Sequence, residues 1–463
     1  MPNPEPQVAS PNLKGLPPGP PGHFLIGSFP LGTSDPLQLL AEWARTYGDI
    51  FYYRAFTSPV YFLNHPDLIA SVLVTHCRDF IKGRGLQVNG RLFGKGLLTS
   101  EGDLWLRERR LCQPAFHSEQ VQRYGELMVE YAERMLASWQ PGESRDLCTD
   151  MRRLTLEIVA KTLFNVEIGD WVDGVVEAAE PIMALNTRGR ILVPFMRYLP
   201  TPLNLRYRRA VRSLERIVRT IIERRAQCRG DGEDLLSMLL RAHDQDGQPL
   251  SFRQVRDEIM TLILAGHETT ALALSWTFYL LASNPSVEAK LMAEITGVLG
   301  QEPPRAHDLA RLPYAERVVR ESMRLYPPAF AVARMAIRDC EIGGYRVPRQ
   351  ASVVMSQWVT HRDPRFFHNP EHFDPDRWSE EFVERLPRFA YFPFGGGPRV
   401  CIGSSFARME ATLLVTSILQ RFHFSLDPAC EVTPVTSITL RPKNGIRVVL
   451  EPRCRITRSE PGA

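Results

Sequence analysis

At 463 residues, the chain has room for two or three ordinary domains or for one large one. Hydrophobic residues make up 44% of the sequence and charged residues 23%, which is typical of a globular protein with a sizeable core. The net charge of +4 is too small to indicate nucleic-acid binding, and the eight cysteines include no C-x-x-C pair. This cysteine pattern argues against a zinc or iron–sulfur site and indicates a reducing compartment.

The N-terminal segment is not expected to act as a membrane anchor or an export signal. Residues 1–13 are polar and proline-rich, unlike a signal peptide, and residues 16–22 predict a stiff, extended stretch. No apolar run in the sequence approaches the ~18 residues that span a bilayer. We therefore expect a soluble, cytoplasmic protein without an integral membrane segment.

The elements expected next form a small β-rich region beside helices. An amphipathic helix is predicted over 36–47, followed by a hairpin over 50–62 that Ser58-Pro59 interrupts. A further helix begins at His65-Pro66 and runs to about Thr75. Residues 83–102 contain six glycines without a clear period, which predicts a long loop, and long loops often carry function.

Helices dominate the remainder of the chain. A helix from Asp103 should end at Pro114, and residues 119–241 are expected to be helical with breaks at Pro181 and over 194–203. Ser251 and Gln254 form the capping box of a long helix that runs to about Ser283. The elements expected after it are helices over 286–300 and 313–326, a strand–turn–strand unit over 334–354, a helix over 402–421 and hairpins over 422–449.

Two of these helices contain residues that suggest more than packing. Trp105 and Arg109 lie four positions apart and so share one face, although a surface Trp stacked on an Arg is the simpler interpretation. Gly266 and Glu268 stand in the middle of the long helix, which is apolar nearly all round. A glycine costs about 1 kcal/mol in a helix interior, and an unpaired buried acid costs more. A purely structural helix would avoid both.

The stretch 394–403, Phe-Gly-Gly-Gly-Pro-Arg-Val-Cys-Ile-Gly, is the most distinctive in the sequence. Three consecutive glycines and a proline allow a tight loop against a flat object. Cys401 lies where the last long helix is predicted to begin, and the unpaired N–H groups and positive dipole end there favour a thiolate. Considered alone, Cys401 would be a buried free cysteine beside a turn.

The spacing F-x2-G-x-R-x-C-x-G resembles the haem-binding loop of the cytochrome P450 family. Four further family motifs occur in family order: W-x-x-x-R at 105–109, A-G-x-E-T-T at 265–270, E-x-x-R at 321–324 and a meander around 373–378. The resemblance covers about residues 17–450. It implies one mainly α domain over 17–453 with a small β-rich region, a triangular helical fold around haem b, between tails at 1–16 and 454–463.

The same resemblance assigns roles to individual residues. Cys401 is the axial ligand of the haem iron and donates electron density that helps to cleave the O–O bond. Thr269 hydrogen-bonds dioxygen, and Glu268 relays protons from solvent. The remaining haem contacts that it implies, mostly to the propionates, are Trp105, Arg109, Arg334, Phe394, Arg399, Gly403 and Lys82.

A structural cluster is also expected. Glu321 and Arg324 are three residues apart on one helix face and can form a salt bridge. The resemblance joins this pair to an arginine of the meander, for which Arg377 is the candidate. A buried three-way cluster of this kind would support the cysteine loop and take no part in catalysis.

These assignments imply a haem-thiolate monooxygenase, an oxidoreductase that inserts one atom of O2 into a C–H bond of an apolar small molecule by hydroxylation or epoxidation. The chain after the ligand helix is too short for a flavin reductase domain. We therefore expect electrons from a ferredoxin or flavodoxin with its reductase. Arg107, Arg110 and Arg408 are candidate contacts for such an acidic partner, or equally solvated residues on helix faces.

The resemblance places an apolar substrate pocket above the haem. Its predicted walls are Leu97, Leu98, Ala265, Ala329, Phe330, Val332 and Ile438. Fatty acids, terpenoids, steroids and macrocycles all suit such walls. Three alternatives remain: a haem-thiolate protein that binds or senses ligands without turnover, a peroxide-driven reaction, and a cofactor-free cysteine hydrolase with a histidine base near Cys401.

Overall fold

The computed structural model of the protein describes residues 15–23, 27–29, 35–87, 90–185, 199, 201–227, 232–243 and 247–453. Helices form most of this part of the chain. In chain order they are α1 (Pro36–Tyr47), α2 (Pro66–Ala70), α3 (Arg84–Gln87), α4 (Gly90–Phe93), α5 (Gly102–Cys112), α6 (Ser118–Ala137), α7 (Leu147–Phe164), α8 (Val172–Leu185), α9 (Pro202–Gln227), α10 (Leu235–Arg241), α11 (Phe252–Ser283), α12 (Pro285–Leu299), α13 (Pro313–Leu325), α14 (Gln357–Thr360), α15 (Glu380–Arg385) and α16 (Ser404–Arg421).

The strands are short and gather into small sheets. They are β1 (Ile50–Ala55), β2 (Ser58–Leu63), β3 (Phe80–Lys82), β4 (Ser144–Asp146), β5 (Val332–Ala336), β6 (Cys340–Ile342), β7 (Tyr345–Val347), β8 (Ser352–Met355), β9 (Phe422–Leu426), β10 (Pro434–Thr436), β11 (Leu440–Pro442) and β12 (Arg447–Pro452). The largest sheet has the strand order β1-β2-β8-β5-β3, with β2 and β8 parallel and the other neighbours antiparallel. This architecture confirms the predicted mainly α fold with a small β-rich region.

Helix α11 is the central element of the helical part. Its N-terminus has the predicted capping box, in which Ser251 accepts from the Gln254 backbone and the Gln254 side chain accepts from the Ser251 backbone. The helix contacts α7, α9, α12, α13 and α16. Because neighbours pack on several sides, its side chains are buried nearly all round. It therefore connects the elements that surround the site.

Some local predictions were wrong. The hairpin turn lies at Phe56-Thr57, where Phe56 has a φ of 56°, and Ser58-Pro59 already belong to β2. Pro181 lies inside α8 and does not break it. Packing of α8 against α9 outweighs the backbone hydrogen bond that a proline removes. The predicted break over 194–203 falls mostly outside the described residues, and α9 begins at Pro202.

The glycine-rich segment over 83–102 is more structured than expected. It contains the one-turn helices α3 and α4, and the turns after α4 lead directly into α5. The helix predicted to run to Thr75 does so, although its last turn, Ser71–Thr75, is a π-helix. None of the described helices has the length and apolar character needed to cross a membrane.

Candidate active site

The loop over 394–403 is held in shape by its own backbone. The N–H of Cys401 donates to the Phe394 carbonyl at 3.0 Å, and the N–H of Val400 donates to the Gly397 carbonyl at 3.1 Å. Gly397 has a φ of +67°, and a Cβ atom there would lie 1.8 Å from the carbonyl oxygen of Leu73. Only glycine fits this position, so the tight loop depends on Gly397 in particular.

Cys401 lies just before the helix that carries the rest of the motif. Helix α16 begins at Ser404, two residues later than predicted, with Gly403 at its N-cap. Burial raises the pKa of the Cys401 thiol, while the Gly403 N–H and the Arg109 guanidinium lower it. The thiol is nevertheless accessible. A thiol that lies deep in the molecule and still has free surface faces an internal cavity, where it can act as a metal ligand.

Positive charge gathers beside this loop. Lys82 of β3 pairs directly with Arg334 of β5, and like charges opposite one another destabilise a sheet unless an anion is near. Arg399 donates to the Phe80 carbonyl at 3.0 Å and forms an ion pair with Glu101. Arg334 is buried and ion-pairs with no acid in the part of the chain that the structure describes. Burial and the nearby Arg399 lower its pKa to about 10. An anionic group such as a propionate would relieve this excess of charge.

Trp105 and Arg109 extend the cationic side of the cavity. The Arg109 guanidinium lies 6.0 Å from the centre of the Trp105 ring, and the Arg399 guanidinium lies 5.4 Å from it. Arg109 also donates to the Val400 carbonyl at 2.8 Å, which ties α5 to the cysteine loop. The indole N–H of Trp105 has no hydrogen-bond partner among the described residues and is available as a donor.

Lys82 has contacts that the sequence did not indicate. Its ammonium donates to the carbonyls of Leu97 at 2.8 Å and Ser100 at 2.7 Å. Burial lowers the pKa of Lys82 to about 8, with Arg399 and Arg334 acting in the same direction and Glu101 opposing them. These bonds fasten the loop before α5 to β3, and a propionate contact of Lys82 stays a prediction.

Glu268 is buried in the middle of α11 and is paired. It is 1% exposed, and Arg152 of α7 donates to it at 2.8 Å. Burial by itself raises the pKa of this carboxyl, but Arg152, with His267 and Arg441, outweighs that effect and holds the pKa below its ordinary value. The sequence showed the unusual acid but not its partner, because nothing in the local pattern of α7 distinguishes Arg152 from Arg153.

The neighbouring turn of α11 faces open space. Ala265 is exposed although most of the helix is buried, and Thr269 is half-buried. The Thr269 hydroxyl donates to the Ala265 carbonyl at 2.7 Å. The helix remains continuous through this turn, and the small side chains of Ala265 and Gly266 allow a ligand to approach the backbone closely.

The predicted pocket walls come from four segments that the fold connects. Leu98, Phe394 and Ile438 pack against the same core cluster. The N–H of Leu440 donates to the Pro328 carbonyl at 2.9 Å, which joins the segment after Ile438 to the one that contains Ala329, Phe330 and Val332. Val332 reaches the cysteine loop, since a Cβ on Gly395 would lie 4.0 Å from its Cγ2 atom. Leu97 is attached to α11 through Glu258, which accepts its N–H at 3.0 Å.

Glu321 is the centre of a buried cluster of hydrogen bonds and ion pairs. Its side chain is fully buried and accepts from Arg324 of α13 and from Arg377, each at 2.8 Å, and from the indole of Trp378 at 2.9 Å. Arg324, also fully buried, donates to the His361 carbonyl at 2.9 Å. The structure thus brings the E-x-x-R pair and the meander arginine together.

Comparison with known proteins identifies the family. The family model described as cytochrome P450 matches residues 17–449. The chain belongs to the cytochrome P450 family. Pentalenene oxygenase of Streptomyces avermitilis is 33% identical over 90% of this P450 and 93% of its own length. Cyclooctat-9-en-7-ol 5-monooxygenase of Streptomyces melanosporofaciens is 36% identical over 84% of each chain.

Solved structures agree with this assignment. Retinoic acid bound cyanobacterial CYP120A1 superposes with a TM-score of 0.84 at 28% identity, over 96% of this chain and all of that one. The protein is therefore a haem-thiolate monooxygenase, an oxidoreductase that uses haem b, dioxygen, redox partners and an apolar small-molecule substrate. A sensor without turnover receives no support from these relatives, and a cofactor-free hydrolase does not agree with the family.

The residues of this P450 suit haem b. An accessible thiol faces the cavity, the cations Arg334, Arg399 and Arg109 lie beside it, and Trp105 offers a free donor. The sequence motifs pointed to these side chains. They gave no indication of Arg152, or of the acid on α11 that holds Leu97, because those contacts join segments far apart in the sequence.

Proposed function

We propose that this cytochrome P450 hydroxylates a cyclic terpenoid. Two of the relatives carry terpenoid substrates in their names, pentalenene and cyclooctat-9-en-7-ol. The walls proposed for its pocket are entirely apolar, and apolar rings lose water-exposed surface on entering such a pocket without leaving a polar group unpaired. The apolar lining is the observation on which the substrate class depends, and the relatives narrow it to terpenoids.

Cys401 is the residue that we propose as the haem ligand, with Phe394 and Gly403 packed beside the ring. Arg334, Arg399, Arg109 and Trp105 would bind the propionates, because each can direct an N–H toward a carboxylate. When bound, haem supplies the oxidising chemistry that acts on dioxygen and on the substrate C–H bond.

Glu268 and Thr269 would handle protons and hydrogen bonds on the other side of the cavity. Arg152 keeps Glu268 ionised at rest, so its carboxylate can take up a proton that arrives from solvent and pass it toward the cavity. The Thr269 hydroxyl donates a hydrogen bond to the Ala265 carbonyl, so its oxygen can accept a hydrogen bond from a protonated group in the cavity. Glu268 would thus hold and deliver a proton at this side of the cavity, and Thr269 would orient the group that receives it.

The electron donor would be a ferredoxin or flavodoxin with its reductase, docked on the side of the cysteine loop. Arg110 and Arg408 are exposed on α5 and α16, the two helices that border this loop. Arg107 is less suited, because it already pairs with the buried Glu108. Reversing both exposed charges, with Arg110→Glu and Arg408→Glu together, should weaken ferredoxin binding and flatten its salt dependence. If the double variant binds ferredoxin and flavodoxin as tightly as the wild type, the donor docks on another surface of the protein.

A cytoplasmic location completes the proposal. Cys77, Cys112, Cys148, Cys340 and Cys430 are present as free thiols in addition to Cys401, as a reducing compartment would maintain.

The test is a substrate panel with the haem-loaded protein. Pentalenene, a steroid and a long-chain fatty acid would each be titrated while the Soret band reports displacement of water from the iron. Turnover would follow with NADPH, a surrogate ferredoxin and its reductase. The proposal expects a saturable spectral shift and a hydroxylated product with the terpenoid.

Matched variants locate the binding. Leu98→Phe narrows the proposed pocket and should weaken terpenoid binding, whereas Leu106→Phe, at an exposed position on α5, should not. Turnover of the fatty acid with no terpenoid shift would overturn the substrate class while leaving the monooxygenase activity in place.

A further inference from the structure

The segment over 94–100, called here the pocket loop because it contains the proposed wall residues Leu97 and Leu98, is attached to the protein through buried charged side chains. On α11, Asp257 accepts the Lys95 N–H at 2.8 Å and Glu258 accepts the Leu97 N–H at 3.0 Å. On β3, Lys82 donates to the carbonyls of Leu97 and Ser100. The loop therefore depends on acids of the same helix that carries Glu268 and Thr269.

The loop also has little room to slide along α11. Gly94 has a φ of +57°, and a Cβ there would lie 2.0 Å from the carboxyl of Asp257. A Cβ on Gly96 would lie 2.4 Å from the Thr261 hydroxyl. Because both glycines lie directly against the helix, the position of Leu97 is fixed by these contacts and by Glu258.

Glu258 faces a second buried acid. Glu108 of α5 is 2% exposed, forms an ion pair with Arg107, and interacts with the Glu258 carboxyl. Glu258 is 1% exposed, and the thiol of Cys112 lies 3.9 Å from its Oε2 atom. Two buried carboxyls that interact closely cannot both ionise cheaply, so one of them keeps a proton.

We expect this proton on Glu258. Burial raises its pKa to about 8; the Leu97 N–H opposes this, and Glu108 and Asp257 reinforce it. Within the described part of the chain, the charged or titratable groups that face it are Glu108 with Arg107 and the Cys112 thiol on α5, Asp257 with Arg256 on its own helix, and Lys82 on β3. The Glu258 carboxyl is therefore expected to change its protonation state near neutral pH.

We propose that Glu258 is a positioning residue that, in its protonated form, holds the pocket loop over the substrate, and that loss of its proton favours release of the loop. When the loop opens, the O–H bond of the Glu258 carboxylic acid breaks and its proton passes to solvent water; apart from this proton transfer only hydrogen bonds are broken. The effect on substrate binding rests on the proposed pocket, whereas the effect on the loop does not.

The direction of the pH effect follows from linkage. Opening the loop exposes Glu258 to water and lowers its pKa toward the ordinary value, so the closed state binds the proton more tightly. Opening therefore becomes easier as pH rises toward about 8, by at most about tenfold per pH unit, and is constant above that value.

Hydrogen–deuterium exchange of the haem-loaded full chain tests this directly. Peptides covering 94–100 would be followed at pH 6, 7, 8 and 9, after correction for the intrinsic dependence of exchange on pH. The wild type should lose protection with rising pH and level off near pH 8. Glu258→Gln keeps a neutral carbonyl acceptor for the Leu97 N–H and should show no pH dependence.

Two further variants test whether the pH dependence comes from Glu258 and from its interaction with Glu108. Glu157→Gln on α7 removes an acid whose pKa burial also raises, but which faces Arg134, Arg153 and Glu167, so it should behave as the wild type. Glu108→Gln removes the facing charge and should move the levelling point to lower pH. Exchange protection that does not change with pH in the wild type, or that changes as much in Glu258→Gln as in the wild type, would overturn the proposal. The wild-type measurement is sufficient even if a variant fails to fold.

Substrate binding supplies the second readout. The dissociation constant of pentalenene, measured by the Soret shift, should be up to about tenfold weaker at pH 8 than at pH 7 in the wild type and equal at the two pH values in Glu258→Gln. If pentalenene binds neither protein while the exchange data follow the prediction, the substrate proposal fails and the role of Glu258 stands. If pentalenene binds equally at both pH values and exchange is flat, the role of Glu258 fails alone.

Discussion

The Glu321 cluster gives the sharpest stability prediction. Glu321 accepts five hydrogen bonds, two from Arg324 and one each from Arg377, the Trp378 indole and the Asp374 N–H. Glu321→Ala would leave Arg324 with its charge fully buried and no acid beside it. Breaking a buried ion pair in this way costs about 3–5 kcal/mol. Since domains are stable by only about 5–15 kcal/mol, the variant should lose a large share of its stability.

The chain contains a matched control. Glu381 and Arg385 form an exposed pair on α15 at 3.5 Å, and such pairs contribute less than about 1 kcal/mol. Glu381→Ala should therefore change the free energy of unfolding by no more than about 0.5 kcal/mol. Glu321→Gln keeps an acceptor of the same shape but removes the charge, and should lie between the two alanine variants, at a loss of about 2 kcal/mol.

Urea unfolding followed by far-ultraviolet circular dichroism measures these differences, and Soret absorbance records haem loss in the same samples. The cluster is linked to the segment just before the cysteine loop through His361, whose carbonyl accepts from Arg324 and whose Nε2 accepts the N–H of Phe392. Haem should therefore be released from Glu321→Ala at lower urea than from the wild type. If Glu321→Ala and Glu381→Ala unfold at the same urea concentration, the reasoning about the buried cluster is wrong.

Three further outcomes are expected. Arg152→Ala should move the acid limb of the pH–rate profile to higher pH, because burial raises the pKa of Glu268 once the guanidinium is gone. An acid limb that stays in place, or one that moves equally in the control Arg153→Ala, would contradict this. Thr269→Ala should lower the amount of product formed per NADPH consumed about tenfold or more, and Thr269→Ser should restore most of it. If both variants form the same amount of product per NADPH, the Thr269 hydroxyl has no role in the reaction. Gly397→Ala should prevent stable haem retention, measured by the haem-to-protein ratio after gel filtration, whereas Gly300→Ala, with a φ of +58° and open space around it, should retain haem.

Much of the fold was predictable because its signals are local. The capping box at Ser251, the prolines that begin α1 and α13, and the apolar surface of α11 each depend on residues within a few positions of one another. The spacing around Cys401 was informative for the same reason. Pro181 was misjudged because packing of α8 against α9, which no local pattern reveals, decides its conformation.

The electrostatic part of the site could not be predicted in the same way. Arg152 meets Glu268 across 116 positions of sequence, and Leu97 meets Glu258 across 161. Lys82 has the charge expected of a propionate contact, yet its ammonium bonds the carbonyls of the pocket loop. Such partners follow from how helices and strands pack in three dimensions, and residue type alone does not choose among them.

The central claim is that Cys401 ligates haem iron as a thiolate. The reduced, carbon-monoxide difference spectrum of the wild type and of Cys401→Ser tests it, with Cys112→Ser as a control for a second free cysteine, which is buried on α5. We expect a strongly red-shifted Soret band in the wild type and in Cys112→Ser, and its absence in Cys401→Ser. The same red-shifted band in all three proteins, or its absence from a wild type that contains haem, would contradict the claim.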